Sequence, residues 1–359
     1  MVFCLSAVRA PAALLVLLAA NFGAAAQEAA LTWQRIELGA AAQRQVYPFA
    51  IYSNKPWGGD MRRVQSAVLV FHGMGRNARG YFAAAEKLLA ASGSNAEETL
   101  LIAPNYFATA DANTNTLDGM PLWRGSLWNS GQDAENWPWP LSAFQPIEDM
   151  LAAMLDAGRF PALKRIVLAG HSAGGQLVHR YAVLNAMDGK VREAGKSISY
   201  IIANPSTYLY FTPERPRGGG FAPFDAAACP SYNEYRYGID KPPRYAGAWN
   251  GDALFRRYAG RDVSYLLGAS DTDPNHSQLD KSCGARAGGS HRLERGRNYI
   301  RYENHLAKSA MILNRRAYEV IGVGHAQARM FGSLCGAELL FGMPAEKNVG
   351  GAACRAPVR

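Results

Sequence analysis

Residues Val167 to Gln176 read VLAGHSAGGQ. The apolar run KRIVLAG leads into this stretch, and GQLVHRYAVLNAM leaves it. The first has the length and composition of a buried strand. The second repeats Leu177, Val178, Tyr181 and Ala182 at helical spacing. Gly170-His171-Ser172-Ala173-Gly174 is therefore a G-x-S-x-G sequence at a strand-to-helix junction. So sharp a turn brings the flanking backbone together, and glycines on either side leave the space that side chains would fill. It also lifts the Ser172 hydroxyl above the sheet, at the positive end of the following helix. Ser172 is the candidate nucleophile.

The alternation continues in both directions. WQRIEL and RQVYPFAIYS, from Trp33 and from Arg44, predict two edge strands; SAVLVFHG (Ser66–Gly73) and TLLIAPNYF predict buried ones. GYFAAAEKLLAAS predicts a helix between those two, and IEDMLAAMLDAG a helix closed by Gly158. SISYIIANP, VSYLLGAS and RAYEVIGVG are further strands, and AQARMFGSLCGAELLFG is a final helix. Short apolar strands alternating with amphipathic helices predict an α/β fold with a mostly parallel sheet. Residues 27–359 read as one domain, with a loop-rich, lid-like insertion at 207–262 after the sixth strand, rich in Pro, Gly and Tyr.

A serine hydroxyl becomes a useful nucleophile when a base takes its proton, and the base needs an orienting acid. In this architecture the order along the chain is Ser, acid, His. His325 follows the last strand on a glycine-flanked loop, within reach of Ser172, and is the candidate base. His179 lies in the helix after the serine and faces away, while His276, His291 and His305 read as loop or surface residues. The loop after VSYLLGAS offers Asp271 and Asp273; the spacing from Gly268 favours Asp271, which leaves Asp273 to cap the loop. Backbone amides of Ala173 and of Met74, in HGMG at the end of its strand, are the expected oxyanion donors, each worth roughly 3–4 kcal/mol in a transition state.

The sequence between Pro121 and Pro140 carries Trp123, Trp128, Trp137 and Trp139. It emerges at the carboxyl end of the sheet, where ligands bind in open α/β folds. Trp128 and Trp137 are therefore expected, with the 207–262 insertion, to wall an aromatic pocket for a bulky ester.

Length and composition narrow the function classes. The chain has 359 residues, of which 48% are hydrophobic and 19% charged, and a formal net charge of +9. The basic residues are scattered among acids, and no nucleic-acid motif accompanies them. The densest stretch, Arg286–Tyr302, reads as a solvated or paired face, with an anion or substrate contact as the alternative. Arg9 precedes an apolar run ending in small residues, the layout of a secretory signal peptide cleaved after Ala26. No other segment is apolar enough to span a bilayer, so a soluble periplasmic or secreted protein without stable membrane insertion is expected. Cys229, Cys283, Cys335 and Cys354 then suggest two disulfides. Three pairings are possible; Cys229–Cys283 and Cys335–Cys354 are favoured because the second pins the C-terminal tail. The cysteine spacing does not suit a zinc site.

HGMG, GHSAGG, GASD and GVGH, in this order over about Ser66 to Gly342, resemble the α/β-hydrolase superfamily. The resemblance implies an eight-stranded, mostly parallel sheet flanked by helices. It also implies hydrolysis through an acyl-enzyme, with neither metal nor organic cofactor. The export signal and disulfides make the chain similar to secreted serine esterases of the polyester depolymerase-like and feruloyl-esterase-like kinds. A small-molecule or polymeric carboxylic ester is the expected substrate, with nucleic acid excluded. An amidase or peptidase using the same three residues is the alternative, and a non-catalytic binding protein a more distant one.

Overall fold

Three apolar runs form the middle of the sheet, as their composition requires. A computed structural model describes Met1 and residues 33–40, 45–112, 117–308 and 311–357; the remainder of the expected signal peptide lies outside the described residues. Among those described, one sheet contains β1 (Trp33–Ala40), β2 (Gln45–Ser53), β3 (Ser66–Phe71), β4 (Thr99–Asn105), β5 (Arg165–His171), β6 (Ser197–Ala203), β7 (Asp262–Gly268), β8 (Arg315–Val320) and β9 (Cys354–Arg355). Their spatial order is β1-β2-β4-β3-β5-β6-β7-β8-β9. Pairing is parallel from β4 through β8 and antiparallel at both margins. Strands β3, β4 and β5 are buried on both faces, hence their unbroken apolar sequence. Edge strand β1 instead alternates, with Ile36 and Leu38 inward and Arg35 and Glu37 exposed. The sheet exceeds the expected eight strands by β9, a two-residue piece beside β8. It is too short to carry a periodic signal.

Among the described residues the α-helices are α1 (Ala78–Ser92), α2 (Gln145–Met154), α3 (Ala173–Leu184), α4 (Met187–Glu193), α5 (Gly251–Ala259), α6 (Cys283–Arg286), α7 (Arg292–Ala307), α8 (Gln327–Phe331) and α9 (Leu334–Phe341). Helix α1 is capped by the Asn77 side chain and ends at Gly93 in the left-handed region. Helix α2 ends at Met154, short of Gly158, because Asp156 takes over the chain: its side chain accepts from the Gly158 amide and its carbonyl from Phe160. The single C-terminal helix expected from sequence is two, α8 and α9. They part at Gly332, where the Ser333 hydroxyl caps α9 by accepting from the Gly336 amide.

Helix α3 departs most from its sequence pattern. All twelve of its residues are buried, so it has no solvent face, although its sequence is amphipathic. The 207–262 segment covers its outer side. Residues Thr207–Phe211 are buried, Arg257 donates to the carbonyls of Val183 and Leu184, and Arg261 to those of Ala182 and Asn185. The two ends of the segment expected to be lid-like are thus packed onto the helix, the second through arginines that bind its carbonyl end, while much of the stretch between them is exposed.

Cys229 is bonded to Cys283 and Cys335 to Cys354. The second bridge ties β9 to α9. The loops close 54 and 19 residues; by loop entropy these are worth about 4 and about 3 kcal/mol. Non-reducing peptide mapping should recover both linkages. Reduction should lower Tm, with Cys229→Ser destabilising more than Cys335→Ser. An unchanged Tm on reduction would contradict this.

Candidate active site

Strand β5 ends at His171, and the next residue turns the chain. Ser172 has φ 59° and ψ −118°, a backbone state that L-residues avoid, and its amide donates to the Ala203 carbonyl at 2.9 Å. Such a conformation costs roughly 1–3 kcal/mol and persists only where its surroundings enforce it. Here they do. A Cβ on Gly170 would lie 2.1 Å from the Gly174 carbonyl oxygen, and one on Gly174 would lie 2.2 Å from that of Phe71. No side chain fits at either position. The turn leaves the Ser172 Oγ at the N-terminus of α3.

His325 and Asp271 arrive from two other strand ends. His325 Nε2 lies 2.9 Å from Ser172 Oγ, and its Nδ1 lies 2.7 Å from Asp271 Oδ2. The structure therefore joins Ser172, His325 and Asp271 in one hydrogen-bonded line. Asp273 stays exposed, its Oδ1 accepting from the Asn275 amide. Asn204, at φ 45°, ties the two loops together: its Oδ1 accepts from the Gly268 amide at 2.6 Å, and its Nδ2 donates to the Gly324 carbonyl at 3.0 Å. Sequence reasoning passed over Asn204, although an asparagine directly after a strand is a common left-handed residue.

Arg292 is the larger omission. It belongs to the basic stretch expected to be solvated or paired; it is paired and buried, with Nη1 3.3 Å from Asp271 Oδ1 and Nη2 3.5 Å from His276 Nδ1, a role in the site that the sequence did not single out. Burial pushes the Asp271 carboxyl up, but the His325 hydrogen bond and the Arg292 charge outweigh it and hold it below the usual carboxylate value. Burial lowers the His325 imidazole; the Asp271 hydrogen bond opposes this, Arg292 and His276 add to it, and the net shift is downward. His171 lies beneath His325, ring centroids 4.6 Å apart, and burial keeps it neutral; its Nδ1 is 2.9 Å from Tyr81 Oη. His179 faces away, against Tyr299. His291 caps α7, and His305 stands half-exposed by Glu214.

The loop after β3 meets Ser172 from above. A Cβ on Gly73 would lie 3.4 Å from Ser172 Cβ. His72 is fully buried and fixes this loop: its Nε2 accepts from the Tyr106 amide, so its Nδ1 carries the proton donated to the Gly73 carbonyl. Burial lowers its pKa to about 4 and keeps it neutral. Among the described residues the amides of Met74 and Ala173 have no acceptor. Ala173 follows Ser172 directly, and Met74 follows Gly73 in the loop that approaches it.

A cavity of about 230 Å³ opens one turn of α3 from Ser172, at Gln176, whose amide donates to the Ser172 carbonyl; Met74, Ser126, Asn129, Arg236 and Asp280 also line it. The tryptophan-bearing connection and the 207–262 segment both reach it, but through polar side chains. Trp128 does not face the cavity. It is fully buried, stacked on Tyr106 at 5.3 Å and edge-on to His72 at 4.7 Å, so it is a core residue beneath the Gly73 loop. Trp137 is half-buried and packs edge-on against Tyr47 and Trp139. The aromatic wall expected from sequence is therefore a mini-core for a long connection, because indoles are best buried where nothing else fills the space. Among the described residues no cluster of three or more His, Cys, Asp or Glu could hold a metal ion, and no helix is long and apolar enough to cross a membrane.

No family model and no curated protein sequence matches this chain. Solved structures do. Poly(aspartic acid) hydrolase-1 of Sphingomonas sp. KT-1 is 23% identical with TM-score 0.58, over 86% of this chain and 98% of that one. A poly(3-hydroxybutyrate) depolymerase of Bordetella parapertussis is 21% identical with TM-score 0.59, over 90% and 95%. The strand order, the turn at Ser172 and these likenesses establish the α/β-hydrolase fold.

Two outcomes follow from the packing. Trp128→Ala should destabilise the protein by about 3–5 kcal/mol in denaturant unfolding; a loss below about 1 kcal/mol would return Trp128 to the surface. In an NMR titration His325 should protonate below 6.5, its ordinary value, and Arg292→Met should move that midpoint upward. An unmoved or lower midpoint would mean that the Arg292 charge is not felt at the imidazole.

Proposed function

We propose that this protein is an exported serine hydrolase that cleaves carboxylic esters through an acyl-enzyme. The observation that carries the reading is the hydrogen-bonded line from Ser172 Oγ through His325 to Asp271, standing at a strained strand-to-helix turn. His325 Nε2 takes the Ser172 proton as Oγ attacks the ester carbonyl carbon. Asp271 accepts the Nδ1–H, fixes the tautomer and stabilises the imidazolium. The amides of Met74 and Ala173 hold the oxyanion, aided by the positive end of α3. Collapse of the tetrahedral intermediate breaks the ester C–O bond, and His325 returns the proton to the leaving alcohol. Water, activated by the same imidazole, then attacks the acyl-Ser172 carbonyl, releasing the acid and restoring the serine.

The likeness of fold supports this reading, and both similar structures are named as hydrolases of polymers. The apolar N-terminal run and the two disulfides support export to the periplasm or beyond. The cavity lining supports a polar ester over the bulky aromatic one expected from sequence.

Ser172→Ala and His325→Ala should each lower kcat by about a million-fold, and Asp271→Asn by about ten thousand-fold, with folding retained. Asp273→Asn should be near neutral. Steady-state hydrolysis of p-nitrophenyl acetate, with circular dichroism for folding, measures this. Full activity in folded Ser172→Ala would overturn the assignment. Paired ester and amide substrates sharing one acyl group test esterase against amidase; faster amide cleavage would replace the first by the second.

A further inference from the structure

The cavity one turn of α3 from Ser172 is not electrically neutral. Arg180, fully buried in α3, lies behind it. Its Nη1 donates to the Asn129 carbonyl at 2.9 Å and faces Asn129 Oδ1 at 3.4 Å. Its Nη2 donates to Thr207 Oγ1 at 2.7 Å, and that hydroxyl donates to Gln176 Oε1 at 2.6 Å. A guanidinium has donors only, so it orients both amides: their oxygens turn toward Arg180 and Thr207. The NH₂ groups of Asn129 and Gln176 then turn away from it, and both residues line the cavity. Neither NH₂ group has a partner among the described residues. Arg236 adds a third donor: Nη2 bonds Asp280 and Tyr237, while Nη1 has no partner among the described residues.

Charge points the same way. Asp271 is matched by Arg292 and Asp280 by Arg236. Arg180 and Arg295 touch no carboxylate among the described residues; Arg295, also buried, bonds the carbonyls of Gly289, Ser206 and Asp280. Burial lowers Arg180 to about 10, which still leaves it protonated at neutral pH. Arg180 and Arg295 both feel the charge of Asp280, which is already paired with Arg236, so three guanidinium groups draw on that one carboxylate, and a donor-lined cavity among them is where an anion would supply a further counter-charge. The chain's net charge of +9 favours the approach of such a substrate.

We propose, resting on the serine-hydrolase reading above, that this cavity is a carboxylate subsite in which Asn129, Gln176 and Arg236 hold a free carboxylate close to the scissile ester. The substrate class is then an ester of a short acid or alcohol that carries a second, ionised carboxyl group.

Matched esters test this. Monomethyl succinate carries the carboxylate on the acyl side, and methyl 4-methylpentanoate replaces it by an isopropyl group of the same shape. O-Acetylglycolate and isobutyl acetate are the corresponding pair on the alcohol side. Hydrolysis by the full mature chain is followed by pH-stat. At least one carboxylate ester should exceed its isostere in kcat/KM by roughly tenfold or more. Arg236→Gln should reduce that ratio severalfold, and raised salt should reduce it further. Isosteres cleaved as fast as both carboxylate esters would overturn the subsite. So would methyl succinamate matching monomethyl succinate, if the preference lies on the acyl side. The wild-type ratios decide even if Arg236→Gln does not fold. Fluorophosphonate labelling of Ser172 separates the two levels. Labelled enzyme without carboxylate preference sinks the subsite alone, and unlabelled enzyme without activity sinks the hydrolase reading beneath it.

Discussion

The backbone of Ser172, held at φ 59° by glycine-only contacts between β5, α3 and the end of β3, is the constraint on which the site depends. Without the close approach of Gly170 to Gly174 and of Gly174 to Phe71, the chain would leave β5 less sharply and the hydroxyl would fall back toward the sheet. The same approach sets the Gly73 loop over Ser172. One packing solution thus positions Ser172 and the loop above it. The strain of that backbone is offset by the surrounding strands, which are buried on both faces.

Electrostatics form a second layer built on this frame. Arg292 lies on the far side of Asp271 from His325, so the carboxylate is shared between a fixed cation and an imidazole that is neutral at rest. This arrangement keeps Asp271 ionised and His325 free to accept a proton. The guanidinium of Arg180 acts differently, by orienting neighbouring amides. Both arginines are buried, Arg180 within α3 and Arg292 at the start of α7, and each holds its neighbours through the terminal nitrogens of its guanidinium.

The residues that define the fold carry local signals, and those that tune the site do not. Unbroken apolar runs such as SAVLVF identify buried parallel strands because both faces are covered. Gly170, Ser172 and Gly174 are legible because one turn demands all three. The order of Asp271 and His325 along the chain follows from the order of the strands. By contrast, a basic residue looks the same in sequence whether it is solvated or buried against a carboxylate, so Arg292 and Arg180 were invisible. Trp128 was misread for a related reason: a long connection needs its own core, and indoles supply it. Helix ends at Leu155 and Gly332 depended on side-chain capping by Asp156 and Ser333, which competes with periodicity one residue at a time.

Rapid quenching of the protein with p-nitrophenyl acetate, followed by peptide mass spectrometry, tests the central claim most directly. The account predicts that one acetyl group is found on the peptide containing Ser172, that Ser172→Ala lacks it, and that it decays as acetate is released. Acetylation confined to another residue, or turnover with no acyl group on Ser172 at any time after mixing, would contradict it.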